Sequence, residues 1–269
     1  MADTILIGAV AYTPNVVPIW EGIREHFRGQ PVEMDFVLYS NYERQVDDLL
    51  GGHVDVAWNT NLAYVRTVRR TGGACRALAM RDTDVAFRTV FVSREGSGLT
   101  GPRSLRGLRL ALGSRDSPQA AILPLHFLAR EGVPQEDLDV LRFDSDVGKH
   151  GDTGRSELDA IRAVLDDRAD AAAIGISTWE AIGRDDLAPG ALEAMWASPP
   201  YCHCNFTALG TLDDERAGAW VSRLLDMDWN DPRHRPILEL EGLRRWVRPE
   251  LDGYRPLFEA VEEQRIPIE

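Results

Sequence analysis

Short apolar runs alternate in order with amphipathic helical stretches along most of this 269-residue chain, and that alternation restricts its fold more than any other feature. Runs rich in Val, Ile, Leu and Ala between turn signals read as buried strands. Stretches with apolar residues spaced three and four apart read as helices, and the two together are the pattern of an α/β fold with mostly parallel strands. Strands are predicted over residues 5–10, 32–39, 54–58, 74–80 and 87–93, with helices over 14–27, 42–50 and 61–70. Gly51-Gly52 and Gly72-Gly73 stop two of those helices, because glycine accepts the left-handed conformation at a helix end. A second series follows: strands over 109–113, 139–143 and 169–174, and helices over 117–131 and 156–166. Pro118 suits the first helical position and Pro124 marks a kink. Beyond Pro199-Pro200 the chain reads as helical, with amphipathic faces over 213–227 and 252–264. Two α/β lobes, each on a sheet of about five strands, are expected, with ligand chemistry at strand ends and helix N-termini.

Composition removes several partner classes. The formal net charge of −13 repels phosphate backbones, which excludes nucleic acid as a partner. No apolar run approaches the roughly 18 residues a membrane span needs, so no membrane insertion is expected. Three cysteines, an odd number, fit a reducing compartment better than a disulfide framework. The first residues lead straight into a strand without a basic n-region or apolar h-region, so a cytoplasmic location is expected; a trimmed start would make it periplasmic or extracellular. No GxxxxGK[ST], GxGxxG, HExxH or GxSxG pattern occurs, so the common nucleotide, zincin and esterase readings lack support, and no cofactor is expected.

Four segments carry candidate chemistry. Ser114-Arg115-Asp116-Ser117-Pro118-Gln119 lies at a strand-to-helix junction, where hydroxyls and backbone N–H groups favour an anion; Asp116 or Ser117 alternatively just caps the helix. Asn59-Thr60-Asn61 has the same placement after the strand at 54–58, with Thr60 either a ligand contact or a cap. Gly148-Lys149-His150-Gly151-Asp152-Thr153-Gly154 sets the only lysine among 30 basic residues beside a histidine and three glycines. Lys149 is an anion donor or, with a depressed pKa, an amine nucleophile, and His150 an acid or base; the alternative is a flexible solvated loop. Tyr201-Cys202-His203-Cys204 offers a soft-metal site, a nucleophile or a ligand wall. Zinc is not expected there, since no second Cys/His cluster stands at zinc spacing, and buried inert cysteines are the commoner outcome. In a strand Cys202 and Cys204 would point to one face and His203 to the other. Tyr12, Tyr39, Trp58 and Trp179 are possible aromatic walls, whereas His26, His126 and His234 read as helix or surface histidines.

Three stretches resemble the phosphonate/phosphite-binding branch of ABC-transporter solute receptors, which have the type 2 periplasmic-binding-protein fold. They are residues 52–64, opening Gly52-His53-Val54-Asp55-Val56-Ala57-Trp58, residues 87–94 with 104–119, and His150 followed by residues 157–174. The resemblance implies two lobes around a central cleft, with lobe 1 formed by residues 1–88 plus 197–269 and lobe 2 by 89–196. Two hinge crossovers near 87–92 and 194–200 would close the lobes on the ligand. It also implies that Tyr12, Tyr39, Asn59, Thr60, Asn61, Ser114, Ser117, Gln119 and His150 contact a small anion of phosphonate, sulfonate or carboxylate type, with Trp179 and Tyr201 as further wall candidates from their own positions. An ABC permease is a partner only if the protein is exported. Asn59-Thr60-Asn61 departs from the glycine usual in the family's first turn. Cytoplasmic enzymes share the scaffold, among them chorismate dehydratase and a dihydroxyphthalate decarboxylase. On that alternative His150 or His203 would be the base, Lys149 or Ser117 the substrate anchor, and Cys202 and Cys204 further catalytic candidates. A cytoplasmic ligand sensor needs no catalytic residue at all.

Overall fold

The computed structural model describes residues 3–184 and 190–268. They divide into two compact units: unit 1 comprises 3–86, 202–254 and 267–268, and unit 2 comprises 87–201 and 255–266. The sequence-based division placed residues 255–266 with lobe 1. They group instead with unit 2, where the helix over Arg255–Glu263 lies against the helix Leu123–Arg130. Glu263 there accepts from His126 Nδ1 at 2.8 Å, and Arg130 reaches both Glu259 and Glu263.

Unit 1 is a six-stranded mixed sheet in the order β11-β4-β10-β3-β1-β2. Its strands are β1 (Asp3–Val10), β2 (Val32–Tyr39), β3 (Val56–Asn59), β4 (Cys75–Arg81), β10 (Asn205–Leu209) and β11 (Trp246–Val247). Helices cover both faces, so the central strands are apolar on both sides. Ile5, Ile7 and Ala9 of β1 enter a core with Ile19, Trp20, Ile23 and Phe27 of α1 (Val16–Phe27) and Trp220 and Leu224 of α7 (Asp214–Leu225). On the other face Val10 packs with Tyr42, Val46 and Leu49 of α2 (Tyr42–Leu50) and Ala63 of α3 (Asn61–Arg70).

Unit 2 is a five-stranded sheet in the order β7-β6-β8-β5-β9, formed by β5 (Thr89–Arg94), β6 (Arg109–Leu112), β7 (Asp139–Arg142), β8 (Ala171–Gly175) and β9 (Leu192–Ala197). Ala160, Ile161 and Val164 of α5 (Arg155–Leu165) cover one face, and Leu125 and Leu128 of α4 (Leu123–Arg130) the other.

The strands are less parallel than the sequence pattern predicts. Parallel ladders join β1 to β2 and β3, and β6 to β7 and β8, whereas β5 and β10 run antiparallel to their neighbours. Both lie just after the chain passes from one unit to the other, at 86–87 and 201–202, and each inserts inside its sheet. The helix expected over 117–131 is split. Residues 118–122 form a π-helical turn closed by Leu123 N–H to Pro118 O, before α4 begins. Pro124 has no N–H for the α-helical bond to residue 120, and the preceding turn widens.

Candidate functional site

In unit 2, β6 ends at Leu112 and the chain turns through Gly113 and Ser114 into the π-helical turn. Ser117 caps that turn, its Oγ accepting from Ala120 N–H at 3.2 Å. A serine oxygen that accepts in this way keeps its own proton to give to an anion. Ser114 is committed differently: its hydroxyl contacts Asp146 Oδ1 and accepts from the Asp146 N–H, so its single proton already has a carboxylate partner.

Asp146, nearly buried, is the hub of the loop that follows. It accepts from Thr153 Oγ1 at 2.6 Å and from Ser156 N–H at 3.5 Å. Lys149 N–H donates to Asp146 O, Asp152 N–H to Lys149 O, and Gly154 N–H to Gly151 O. These successive turns make segment 148–154 an ordered structure rather than a flexible solvated loop. His150 is fully buried and held at φ 52°, a left-handed conformation that a non-glycine residue adopts at a cost. Gly151, at φ 85°, packs its backbone on the helix start: a Cβ there would stand 2.3 Å from Ser117 Oγ and 2.6 Å from Gln119 Nε2. The structure therefore brings Ser117, Gln119 and the His150 loop together.

Gln119 donates its Nε2–H to Glu157 Oε1 at 3.1 Å, and Glu157 Oε2 accepts from Gly175 N–H at 2.9 Å. Burial raises the pKa of this carboxyl, and hydrogen bonds from Thr178, Gly175 and Gln119 oppose the shift. Glu157 was not singled out in the sequence; the only trace of its role is an acidic side chain in the first turn of a helix. Lys149 is half-buried, and partial desolvation lowers its pKa against the pull of Asp152.

In unit 1, Asn59 closes β3 and is fully buried. Its Oδ1 accepts from Gln45 Nε2 at 2.9 Å, while Asn59 Nδ2 and Gln45 Oε1 are buried with no hydrogen-bond partner among the described residues. Buried unsatisfied polar atoms are costly, which makes them a mark of an absent partner. Thr60 caps α3 by accepting from Ala63 N–H, and Asn61 Nδ2 donates to Cys202 O at 3.2 Å. Both therefore hold local structure.

The aromatic candidates are largely core. Trp179 packs against the cluster under α5, and Tyr12 against the α1 core. Tyr39 hydrogen-bonds Asp48, and burial with that bond pushes its phenol up to about 12. Tyr201, fully buried, meets Thr89 Oγ1 at 3.1 Å and stacks on Phe127, and burial raises its pKa. His26 and His126, read as helix or surface residues, are both buried and paired, with His234 and Glu263 respectively.

Cys202 donates to Glu250 O at 3.0 Å, and burial pushes its thiol up to about 12, which withholds the thiolate a nucleophile needs. Residues 202–204 form no regular strand, so the strict alternation of faces does not apply, and the side chains of His203 and Cys204 converge. Sγ of Cys204 lies 3.1 Å from Nδ1 of His203.

Two α/β units of this topology, with a serine-capped helix start and an ordered histidine loop, define the solute-receptor class of fold. A family model described as "ABC transporter, phosphonate, periplasmic substrate-binding protein" matches residues 12–254. The chain belongs to this family of phosphonate-type ABC substrate-binding proteins. It is 25% identical over 239 residues to a probable ABC transporter phosphite binding protein, PhnD1, of Prochlorococcus marinus, covering 85% of this chain and 77% of that one. The solved structure of PhnD1 with methylphosphonate aligns at TM-score 0.76 and 22% identity over 98% of this chain and 99% of that one. XAC2383 from Xanthomonas citri, bound to ATP, aligns at TM-score 0.75 and 18% identity over 99% of this chain and 100% of that one. The family's description is periplasmic, so the cytoplasmic expectation gains no support from it.

Proposed function

We propose that this protein is a receptor for a small phosphonate- or phosphite-type anion. In unit 2 the Ser117 hydroxyl, the Gln119 amide and the His150 imidazole are the recognising groups. Family membership, and relatives described as phosphite-binding and as bound to methylphosphonate, support the ligand class. The observation that carries the site is the close seating of the Gly151 backbone on Ser117 and Gln119, which holds the buried His150 loop against a capped helix start. Neutral hydroxyl and amide donors with the positive end of a helix dipole suit a compact anion on a chain of net charge −13. A periplasmic location and delivery to an ABC permease follow as parts of the same proposal.

Calorimetric titration of the full chain with methylphosphonate and with phosphite tests this. A hydrogen bond to a charged group contributes about 1.5–3 kcal/mol, so Ser117→Ala is expected to weaken binding roughly 10–100-fold. Absence of binding by both anions, or unchanged affinity in Ser117→Ala, would refute the reading.

A further inference from the structure

In unit 1 three metal-ligating side chains meet beside the apolar core. Asp84, His203 and Cys204 are all buried, at 0%, 4% and 2% exposure, and one ligand atom from each lies within 4.8 Å of the other two. His203 Nδ1 is 3.1 Å from Cys204 Sγ and 3.4 Å from Asp84 Oδ1. Asp84 belongs to the short turn Asp82–Asp84 after β4, so residues more than a hundred positions apart in the chain supply the cluster. The backbone fixes this meeting, because His203 N–H donates to Asp84 O at 3.0 Å.

A catalytic Cys–His–Asp relay would use the two imidazole nitrogens separately, one for the thiol and one for the carboxylate. Here one nitrogen faces both, which is the arrangement of a shared coordination sphere. Bonds of about 2.1 Å to nitrogen and oxygen set those atoms about 3.4 Å apart around a tetrahedral zinc, and a sulfur at about 2.3 Å stands about 3.6 Å from the nitrogen. The observed 3.4 Å between Nδ1 and Oδ1 matches its edge, whereas the 3.1 Å between Nδ1 and Sγ is a hydrogen-bond distance that a bound ion would widen. Arg81 grips both carboxylate oxygens of Asp84, with Nε to Oδ2 at 2.6 Å and Nη2 to Oδ1 at 2.9 Å, so Oδ1 is shared between Arg81 and the cluster. It acts as an outer partner that orients a metal-binding carboxylate. Arg81 also reaches Glu241 at 3.5 Å, so one guanidinium is surrounded by two carboxylates, and a dication with a thiolate neutralises that excess. Thiolate, imidazole and carboxylate together select a borderline-soft ion over calcium or magnesium.

We propose that Asp84, His203 and Cys204 bind a thiophilic divalent ion of the zinc class, with a fourth position left for water. The site is enclosed, so the ion enters as the chain folds.

The test uses the full-length, reduced protein, stripped of metal, unfolded in denaturant and refolded with one equivalent of Co²⁺. The expected result is a near-ultraviolet thiolate-to-cobalt charge-transfer band, displaced by Zn²⁺. The band is lost in Cys204→Ser and retained in Cys75→Ser and Cys202→Ser. A wild-type protein that refolds, by far-ultraviolet circular dichroism, without the band overturns the proposal whatever the variants do. A band that survives in a folded Cys204→Ser also overturns it.

Discussion

Acidification is expected to weaken unit 1 through one histidine. Asp228 N–H donates to His234 Nδ1 at 3.1 Å, so His234 carries its proton on Nε2 and gives it to His26 Nδ1 at 2.9 Å. His26 Nε2 in turn donates to Arg223 O at 2.8 Å. The partners assign the tautomers and leave the His26 ring neutral. A proton added at His26 Nδ1 would face the N–H of His234. Burial is the largest cause lowering the pKa of His26 to about 4 from its usual 6.5, and the nearby Arg223 guanidinium adds to it. The unfolded chain therefore binds more protons than the folded one between those two values. Stability is full above pH 6.5, falls as pH drops through the window, and loses nothing further from this group below about 4. At 1.36 kcal/mol per pKa unit the whole window is worth about 3 kcal/mol, of which about 2 kcal/mol falls between pH 7 and pH 5. Urea unfolding followed by tryptophan fluorescence measures this, because Trp20, Trp58, Trp220, Trp229 and Trp246, five of the chain's seven, lie in unit 1. The reference is His26→Gln, less stable at neutral pH but without the titrating ring. The decisive quantity is the difference between the two pH dependences; if wild type and variant lose the same stability from pH 7 to pH 5, the argument fails.

Gly151→Ala is expected to cost about 1–3 kcal/mol of stability and to lower methylphosphonate affinity, since a Cβ at that positive φ collides with Ser117 and Gln119; thermal melting and calorimetry together check it, and wild-type values in both would refute the seating of the loop. Trp220→Ala is expected to cost about 3–5 kcal/mol, because the fully buried indole stacks on Phe27 at 5.7 Å and meets Phe206 edge-on at 5.0 Å; urea unfolding reads the loss, and a change under 1 kcal/mol would contradict the packing.

The strands and helices most legible in the sequence were those whose partners are local or parallel. β1 and α1 follow from unbroken apolar runs and an apolar helix face, because burial on both sides of a central strand leaves a simple pattern. β10 escaped notice: Asn205-Phe206-Thr207-Ala208-Leu209 carries two polar residues that are nonetheless buried, each satisfied by another polar side chain. Asn205 donates to Tyr254 Oη and Thr207 to Asn205 Oδ1, pairings that no periodicity announces. The candidate site shows the same limit. Ser117 and the His150 loop stood out by residue type and glycine spacing, whereas Asp146, Glu157 and Gln45 act through partners 10 to 40 positions away. The divergence of His203 from Cys204 was expected from strand alternation and failed because no strand forms there.

The dependence of His150 on Asp146 bears on how the proposed site in unit 2 is held. A left-handed histidine is held only if its surroundings over-determine it, at a cost of order 1 kcal/mol. Asp146 supplies that determination twice over: its backbone closes the turn before His150, and its carboxylate ties the end of β6 through Ser114 to the far side of the loop through Thr153. Ser114 consequently fixes the carboxylate that fixes the loop, and on the proposed function it would serve the anion only indirectly. With Ser117 held as a cap and Gln119 held by the buried Glu157, the proposed donors of unit 2 are ordered before any ligand arrives. Ordering in advance removes an entropy cost that association would otherwise carry, and so favours tight capture of a small anion by a few neutral donors.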